Sequence, residues 1–548
     1  MKRPVLLILL LITITGFSQS HFAIAVGRDS TDHAYSLVQT PDSGFAIVGR
    51  SYDPGLSGGD ILVTKVNSTL EVEWATVIGG SEYDTGFKII NTLDGGFAAI
   101  GKTLSFGSGS YDVILAKLSS SGSIEASRVF GSTGNDEGTS IIQTSYGEFI
   151  VTGVIHNISN DDVFVLRLTP MLEVVWQVDI GGSGTDCGLD IIEAADEGFL
   201  VTGYTRSFGA GNADLLLIKL SLGGQVQWCN TIGGANDEYG YSVTETSDGQ
   251  IAVAGYTESF GAGSSDIFVT KLYYGGTITW CKAIGGGSSD IAKSLIETPG
   301  RGFALTGYST SYASGTSDNN GVIVKIDSSG GLDWAKSIGD TAEDYSQSLT
   351  RTFDGGYAIC GETKSYGING DYLLAKFDST GNCCLASEIY PSIANVIPVV
   401  TDVTPDTARS FPTLSLPGLT IRGLHVSVTE ICTDGIEENS PSAKPEAFTI
   451  SAYPNPFNGN CRLMIDDLGT GIDAIEIYDV NGRKVEENPP TLRATSLDKG
   501  GNGHAPLHKG GQGGSYIWQP APSLGSGVYL VRATVGEQST SKRIVYLK

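Results

Sequence analysis

The chain has 548 residues, with 34 basic against 60 acidic side chains and a formal net charge of −26. That excess of negative charge argues against nucleic acid and anionic lipid as partners, and leaves cations or neutral glycans open. Glycine dominates the composition, with 74 residues, and no segment after the first 20 residues is long and apolar enough to be a membrane-spanning helix.

Residues 1–20 carry Lys2 and Arg3, an apolar run from Val5 to Ile14 and a small-x-small end at Ser18-Gln19-Ser20. This pattern predicts a secretory signal peptide whose apolar run is too short to persist as an anchor. No cysteine follows it closely, so lipid attachment there is not expected.

From residue 21 to about 385 a module of about 52 residues recurs seven times. Its marker is a glycine, at Gly49, Gly101, Gly153, Gly203, Gly255, Gly307 and Gly361, with steps of 52, 52, 50, 52, 52 and 54. Each copy holds four short β-type runs separated by turn residues, as in YSLVQT, GFAIVG, DILVTKV and VEWATVIGG of the first copy. The third run is apolar on both faces (from Val113, Val163 and Leu215), which suits a strand covered on both sides. Four-stranded units at this period predict an all-β fold, a β-propeller, and seven copies predict seven blades. The run His21 to Gly27 matches the fourth run of the other copies, whereas the seventh copy has Leu385 at its Trp position. The N-terminal run is therefore predicted to complete the last blade and so remove both open edges.

Two catalytic-looking motifs dissolve against the repeat. The stretch from Gly96 to Lys102 and Thr103 fits a phosphate-loop pattern, yet it reads GFAIVGRS from Gly44 and GFLVTGYT from Gly198, so it is the second strand of a blade. Gly55-Leu-Ser57-Gly-Gly59 fits a nucleophile elbow but lies in a Gly/Ser-rich loop with no helix after it. The six histidines are scattered without metal-ligand spacing. No catalytic residue, metal ligand or cofactor is predicted, with calcium or another cation left open.

Trp74, Trp176, Trp228, Trp280 and Trp334 share one repeat position, with Ala126 the exception, and a ring there is expected to fill the wedge between blades. Asp60, Asp112, Asp162, Asp214, Asp266 and Asp371 are expected to hydrogen-bond the loop before the third strand. They are not expected to pair with the basic residue five positions on, which an odd offset puts on the opposite face.

A second acidic series, Asp32, Asp84, Asp136, Asp186, Glu238, Asp290 and Asp344, stands 17 residues before each marker glycine, just ahead of the innermost strand. The loop between the second and third runs shares its face of the ring, holds all the length variation, and carries Phe106, Phe208, Phe260, Tyr312 and Tyr366. These acidic and aromatic positions are the candidate ligand face. Backbone capping and loop pinning stand beside ligand or cation contact as readings of them.

Residues 386–445 turn rich in Pro, Ser and Thr, with strand-like pieces at Asn395 to Val400 and Leu419 to Val428, and are read as a partly ordered connector. Of the eight cysteines, Cys383 or Cys384 could pair with Cys432, whereas Cys229 and Cys281 fall on neighbouring blades, too far apart to bond. Residues 446–548 then carry Tyr453-Pro454-Asn455-Pro456-Phe457, an Asp-x-x-Gly482-Arg483-x-Val turn, and Gly527-Val528-Tyr529. In this order these phrases resemble the type A C-terminal sorting domain of the type IX secretion system. The resemblance implies a small Ig-like β-sandwich read by an outer-membrane export machine, on the surface of or outside a Gram-negative bacterium. A Gly-rich insertion at about 487–515 departs from that pattern and is expected to loop out. The repeats are similarly like bacterial β-propeller repeats.

The sequence thus points to a secreted or cell-surface β-propeller that serves as a binding or adhesion scaffold for a glycan or protein. A secreted glycan-directed enzyme using acids on the loop-rich face, or a structural surface-layer component, is the alternative.

Overall fold

The computed structural model describes residues 21–403 apart from 28–30, 53–57, 108–109, 157–159, 314–317 and 368–369, and beyond residue 403 chiefly the backbone of the strands. The repeat folds as a seven-bladed β-propeller. Blade 1 runs through an inner strand Asp32–Gln39, a second strand Phe45–Ser51, a third strand Asp60–Val66 and an outer strand Val72–Ile78, all antiparallel. The other blades repeat this order from inner strands beginning at Asp84, Glu137, Asp186, Glu238, Asp290 and Asp344. Each inner strand touches the inner strands of both neighbouring blades, the first touching the seventh, so the ring is closed. Closure uses the N-terminal strand Phe22–Gly27, which pairs with the third strand of blade 7 from Phe22↔Lys376 to Val26↔Tyr372, as the sequence predicts.

The blades depart from the expected four strands, because every sheet has five. The fifth comes from the segment read as a connector. Ala386–Glu388 pairs with the outer strand of blade 6, Ser392–Asn395 with blade 5, Val399–Asp402 with blade 4 and Asp406–Thr407 with blade 3. Thr413–Ser415 and Arg422–Gly423 then pair with blades 2 and 1, and Ser427–Thr433 with the closing strand of blade 7. The chain therefore runs once back around the ring as a belt, in the sense opposite to the order of the blades. Outer strands otherwise leave a row of N–H and C=O groups unpaired, and the belt supplies partners to their C-terminal halves. The compact unit containing the ring accordingly extends to Gly435.

Packing between blades explains the repeated residues. Trp74, Trp280 and Trp334 on outer strands meet Phe97, Phe303 and Tyr357, which open the second strand of the next blade, at 5.5, 6.0 and 6.0 Å between ring centroids. Phe22 takes the tryptophan's place in blade 7 and meets Phe45 at 6.2 Å. The indole N–H groups of Trp74 and Trp280 donate to the carbonyls of Ser120 and Ser328 in the next blade, at 3.0 and 3.1 Å. The marker is glycine because a Cβ there would overlap an inner-strand carbonyl, that of Thr85 at Gly101 and of Tyr239 at Gly255. Beside each such contact the inner strand bulges by one residue.

Of the described cysteines, Cys384 is disulfide-bonded, while Cys187, Cys229, Cys281, Cys360 and Cys383 are buried and carry no disulfide. Residues 436–548 form a separate unit. Its strands make a three-stranded sheet (Thr449–Tyr453, Cys461–Asp466, Gly514–Trp518) and a four-stranded one (Lys484–Glu487, Ala474–Asp479, Gly527–Val535, Gln538–Tyr546). Tyr453 closes one strand opposite Arg462, and Gly527, Val528 and Tyr529 open another opposite Tyr546, Val545 and Ile544. Pro454 to Phe457, Gly482, Arg483, Ser57 and residues 488–513 lie outside the described residues. Among the described residues no helix is long and apolar enough to cross a membrane.

Candidate functional site: the mouth of the central channel

The acidic series lies beneath the loop-rich face. Asp32, Asp84, Asp136, Asp186, Glu238, Asp290 and Asp344 are all at most 1% exposed. Each described set of contacts is a staple between blades. Asp290 accepts from Gly286 N at 2.8 Å, Ser311 Oγ at 2.7 Å and Ser309 Oγ. Glu238 likewise accepts from Gly234 N at 2.6 Å, Thr257 Oγ1 at 2.7 Å and Ser259 N at 3.1 Å. Ser105, Ser207 and Ser365 bind Asp84, Asp186 and Asp344 with their hydroxyls at 2.7, 2.6 and 2.5 Å. Burial pushes the carboxyls of Asp84, Asp136 and Asp290 up, against the hydrogen bonds they accept.

The serine of each Ser-aromatic pair thus ties its loop to a staple, and the aromatic lies down on the frame. Phe106, Phe208, Phe260, Tyr312 and Tyr366 are half-buried. Phe106, Phe260 and Tyr312 join the apolar clusters between blades, and Phe208 covers Gly182. Two of the third-strand aspartates bond the preceding loop as expected: Asp214 accepts from Ala210 N and Gly211 N at 3.0 and 3.1 Å, and Asp266 from Gly263 N at 2.9 Å. The basic residues of those strands pair at the opposite end of the blade, Lys219 with Asp196 at 2.9 Å and Lys271 with Asp248 at 3.1 Å. Among the described residues, no group of three or more His, Cys, Asp or Glu side chains is placed to hold a metal ion.

What the frame places around its axis is a set of positions that do not repeat. The residue after each marker glycine stands in register with the residue that follows the buried acid, giving His33↔Arg50, Thr85↔Lys102, Glu137↔Val154, Cys187↔Tyr204, Tyr239↔Tyr256, Ile291↔Tyr308 and Tyr345↔Glu362. One arc is charged and internally paired. His33 Nδ1 meets Glu362 Oε2 at 2.6 Å, Lys102 meets Glu137 at 2.7 Å, and the Arg50 guanidinium lies over the rings of Tyr52 and Tyr83 at 4.7 and 5.0 Å.

The other arc, on blades 4 to 7, is tyrosine. Tyr204 and Tyr239 lie 4.1 Å apart between centroids, Tyr239 and Tyr256 stack at 5.0 Å, Tyr256 and Tyr241 at 6.1 Å, and Tyr308 meets Tyr345 at 5.0 Å. Arg206 donates to the Tyr239 hydroxyl at 3.1 Å and pairs with Asp237 at 3.5 Å. Deeper in, the bulged inner-strand residues Tyr35, Phe87, Thr139, Leu189, Tyr241, Lys293 and Gln347 form a ring of their own, and the bulge re-aims each of them. Neighbours in it touch: Tyr35 meets Phe87 at 5.5 Å, and Lys293 Nζ sits 3.4 Å from the centroid of Tyr241.

Burial pushes the phenols of Tyr204, Tyr241 and Tyr256 far up, so they stay protonated donors, and it pushes the Lys293 amine down to about 7. Half-buried aromatic faces with hydroxyl donors at their rims can stack on a sugar ring and bond its hydroxyls. Repeat-based reasoning passed over this arc because it weighted positions that recur. The readable signal was the opposite one, the residue after the marker glycine, which changes from Arg50 and Lys102 to Tyr204, Tyr256 and Tyr308.

Fold and site together define a belted seven-bladed propeller with an aromatic channel mouth. No family model matches the chain, and no curated protein matches it in sequence.

Proposed function

We propose that the protein is a secreted or surface-displayed binding scaffold that takes a glycan at the tyrosine arc of its channel mouth. The carrying observation is the continuous stack Tyr204–Tyr239–Tyr256–Tyr241 on a rigid closed ring. The acidic staples and loop aromatics support this site by fixing the loops around it, and are not themselves the contact surface. Residues 1–20 and the motif phrases at Tyr453 and at Gly527 to Tyr529 support export by a type IX route, with residues 446–548 as an Ig-like β-sandwich sorting domain.

A glycan array probed with the mature chain tests the binding. The parent is expected to retain specific glycans that the Tyr239→Ala/Tyr256→Ala variant, still folded by circular dichroism at the assay temperature, does not; equal retention by both would reject the site. Export is tested by protease shaving of intact cells, where removal of residues 446–548 is expected to abolish surface exposure. A secreted enzyme is the second reading, favoured by one observation: Glu362 holds the His33 imidazole at the same mouth, as a carboxylate orients a general base.

A further inference from the structure

At the end of the ring opposite the tyrosine arc, inner strands are clasped to the preceding blade. The last inner-strand side chain accepts a hydrogen bond from a backbone N–H of the neighbouring hairpin turn. Gln143 Oε1 accepts from Leu93 N at 2.8 Å, Glu245 from Ala195 N at 2.7 Å, Glu297 from Ser247 N at 2.8 Å and Gln39 from Phe353 N at 2.8 Å. Within the turns, Thr92 and Thr352 donate to Asp94 and Asp354 at 2.5 Å, and these acids pair with third-strand lysines. The fourth turn residue has positive φ and is glycine in four copies, Gly95, Gly147, Gly249 and Gly355.

Between blades 6 and 7 every part of this arrangement is changed at once. Pro299 occupies the donor position and has no N–H. The side chain that would accept from it is Arg351, where the other blades have Gln, Asn or Glu. Gly300 replaces the turn acid, and the Thr298 hydroxyl is buried, 4% exposed and without a hydrogen-bond partner among the described residues. Arg301 takes the positive-φ position at 64°, a conformation that favours glycine. The result is an open cavity of about 610 Å³ lined by Ser247, Glu297, Thr298, Pro299, Gly300, Arg301 and Arg351.

Both arginines are exposed, in a chain of net charge −26, and neither is within ion-pair distance of a carboxylate among the described residues, although Arg301 stands close enough to Asp248 to help lower that carboxyl. The one carboxylate in the lining, Glu297, is held by Ser247 through N at 2.8 Å and Oγ at 3.0 Å.

We propose that this cavity is a second binding site, for an oxyanion group (phosphate, sulfate or carboxylate) carried on a larger ligand, held by Arg301 and Arg351 with the Thr298 hydroxyl as a neutral donor. A planar guanidinium matches an oxyanion in two parallel hydrogen bonds, and two of them flanking one opening favour a doubly charged group. The departure from the repeat is informative because other junctions are internal controls: Pro41 also lacks the donor N–H between blades 1 and 2 but has Asn91 opposite it, and where the clasp survives no such pair of arginines exists.

The same controls supply the test. Arg301→Gly restores the residue of four other turns, and Arg351→Gln that of two other inner strands, so the double variant is expected to melt at or above the parent's temperature. Titration calorimetry of the mature chain would use inorganic pyrophosphate, a sulfated disaccharide and digalacturonate as separate probes. At least one is expected to bind the parent, and the double variant to bind that probe at least about tenfold more weakly. The probe that binds identifies the oxyanion. Binding of none of the three by the parent, or equal binding by parent and double variant, would overturn the proposal. The Tyr239→Ala/Tyr256→Ala variant is expected to keep this affinity, so failure here and failure at the tyrosine arc are separate results.

Discussion

The two ends of the blades use the same residue type in opposite electrostatic states. At the loop-rich end, carboxylates such as Asp84 and Asp290 are fully buried, take their hydrogen bonds from neutral donors, and are pushed up by burial. At the hairpin end, burial works against Asp42, Asp94 and Asp354 too, but ion pairs with Lys65, Lys117 and Lys376 and bonds from turn threonines hold them below the ordinary value. The hairpin carboxylates are about half-exposed, at 47, 54 and 42%. Buried staples tolerate little change, and they recur in all seven blades. The exposed end tolerates loss, which is where blade 6 has shed its turn acid and gained Arg301.

The largest expected effect comes from removing what closes both ends. Deleting residues 21–27 takes out Phe22, Ile24 and Val26, all at most 4% exposed, and strips the partner from both the third strand of blade 7 and the belt strand Ser427–Thr433. At about 1.5 to 3 kcal/mol per buried side chain the cost is about 5 to 9 kcal/mol. Circular dichroism melting checks this, and a truncation that melts with the parent would mean the ring does not depend on its closing strand.

Next in size, Trp280→Ala removes a half-buried ring and its N–H bond between blades, with an expected cost of about 3 kcal/mol in denaturant unfolding.

The two ends are compared directly by Asp290→Ala and Asp94→Ala. The first abandons three donors in a buried junction and is expected to cost about 2 to 3 kcal/mol. The second breaks a solvent-screened pair and is expected to cost at most about 1 kcal/mol. The order of these costs is what matters, and its reversal would invert the comparison.

Their pH dependence is expected to have opposite signs. Because the folded state raises Asp290, that group's contribution is complete below its unfolded pKa of about 3.9 and declines as pH rises through the higher folded value. Asp94 is lowered, so its contribution is present above about 3.9 and is lost as pH falls through the lower folded value. Unfolding at pH 3 and pH 7 should therefore show Asp290→Asn costing less at pH 7 and Asp94→Asn costing more. The smallest effect is local: Lys293, labelled as its dimethylamine, is expected to titrate near 7 by NMR rather than in the ordinary lysine range, because burial disfavours its charge.

Much of this architecture was written in the chain. The marker glycines, the alternation of short runs with turns and the run from His21 to Gly27 determined the number of blades and the way they close, since each is a local pattern repeated seven times. The sequence also placed the tryptophans between blades and kept Asp60 and Lys65 apart, because strand parity alone decides those questions.

Only tertiary structure decided the rest. Belt strands of two to seven residues have no periodicity to read, and their partners lie up to about 400 positions away, from Phe22 to Thr433. The acidic series was legible as a series, but whether a carboxylate faces solvent or a buried ring of N–H and O–H donors depends on the neighbouring blade. Tyr204, Tyr239 and Tyr256 are ordinary strand residues in sequence, and Pro299, Arg301 and Arg351 ordinary turn and strand-end residues. The closed ring brings each group to one opening, because residues about 50 apart along the chain become neighbours around the axis.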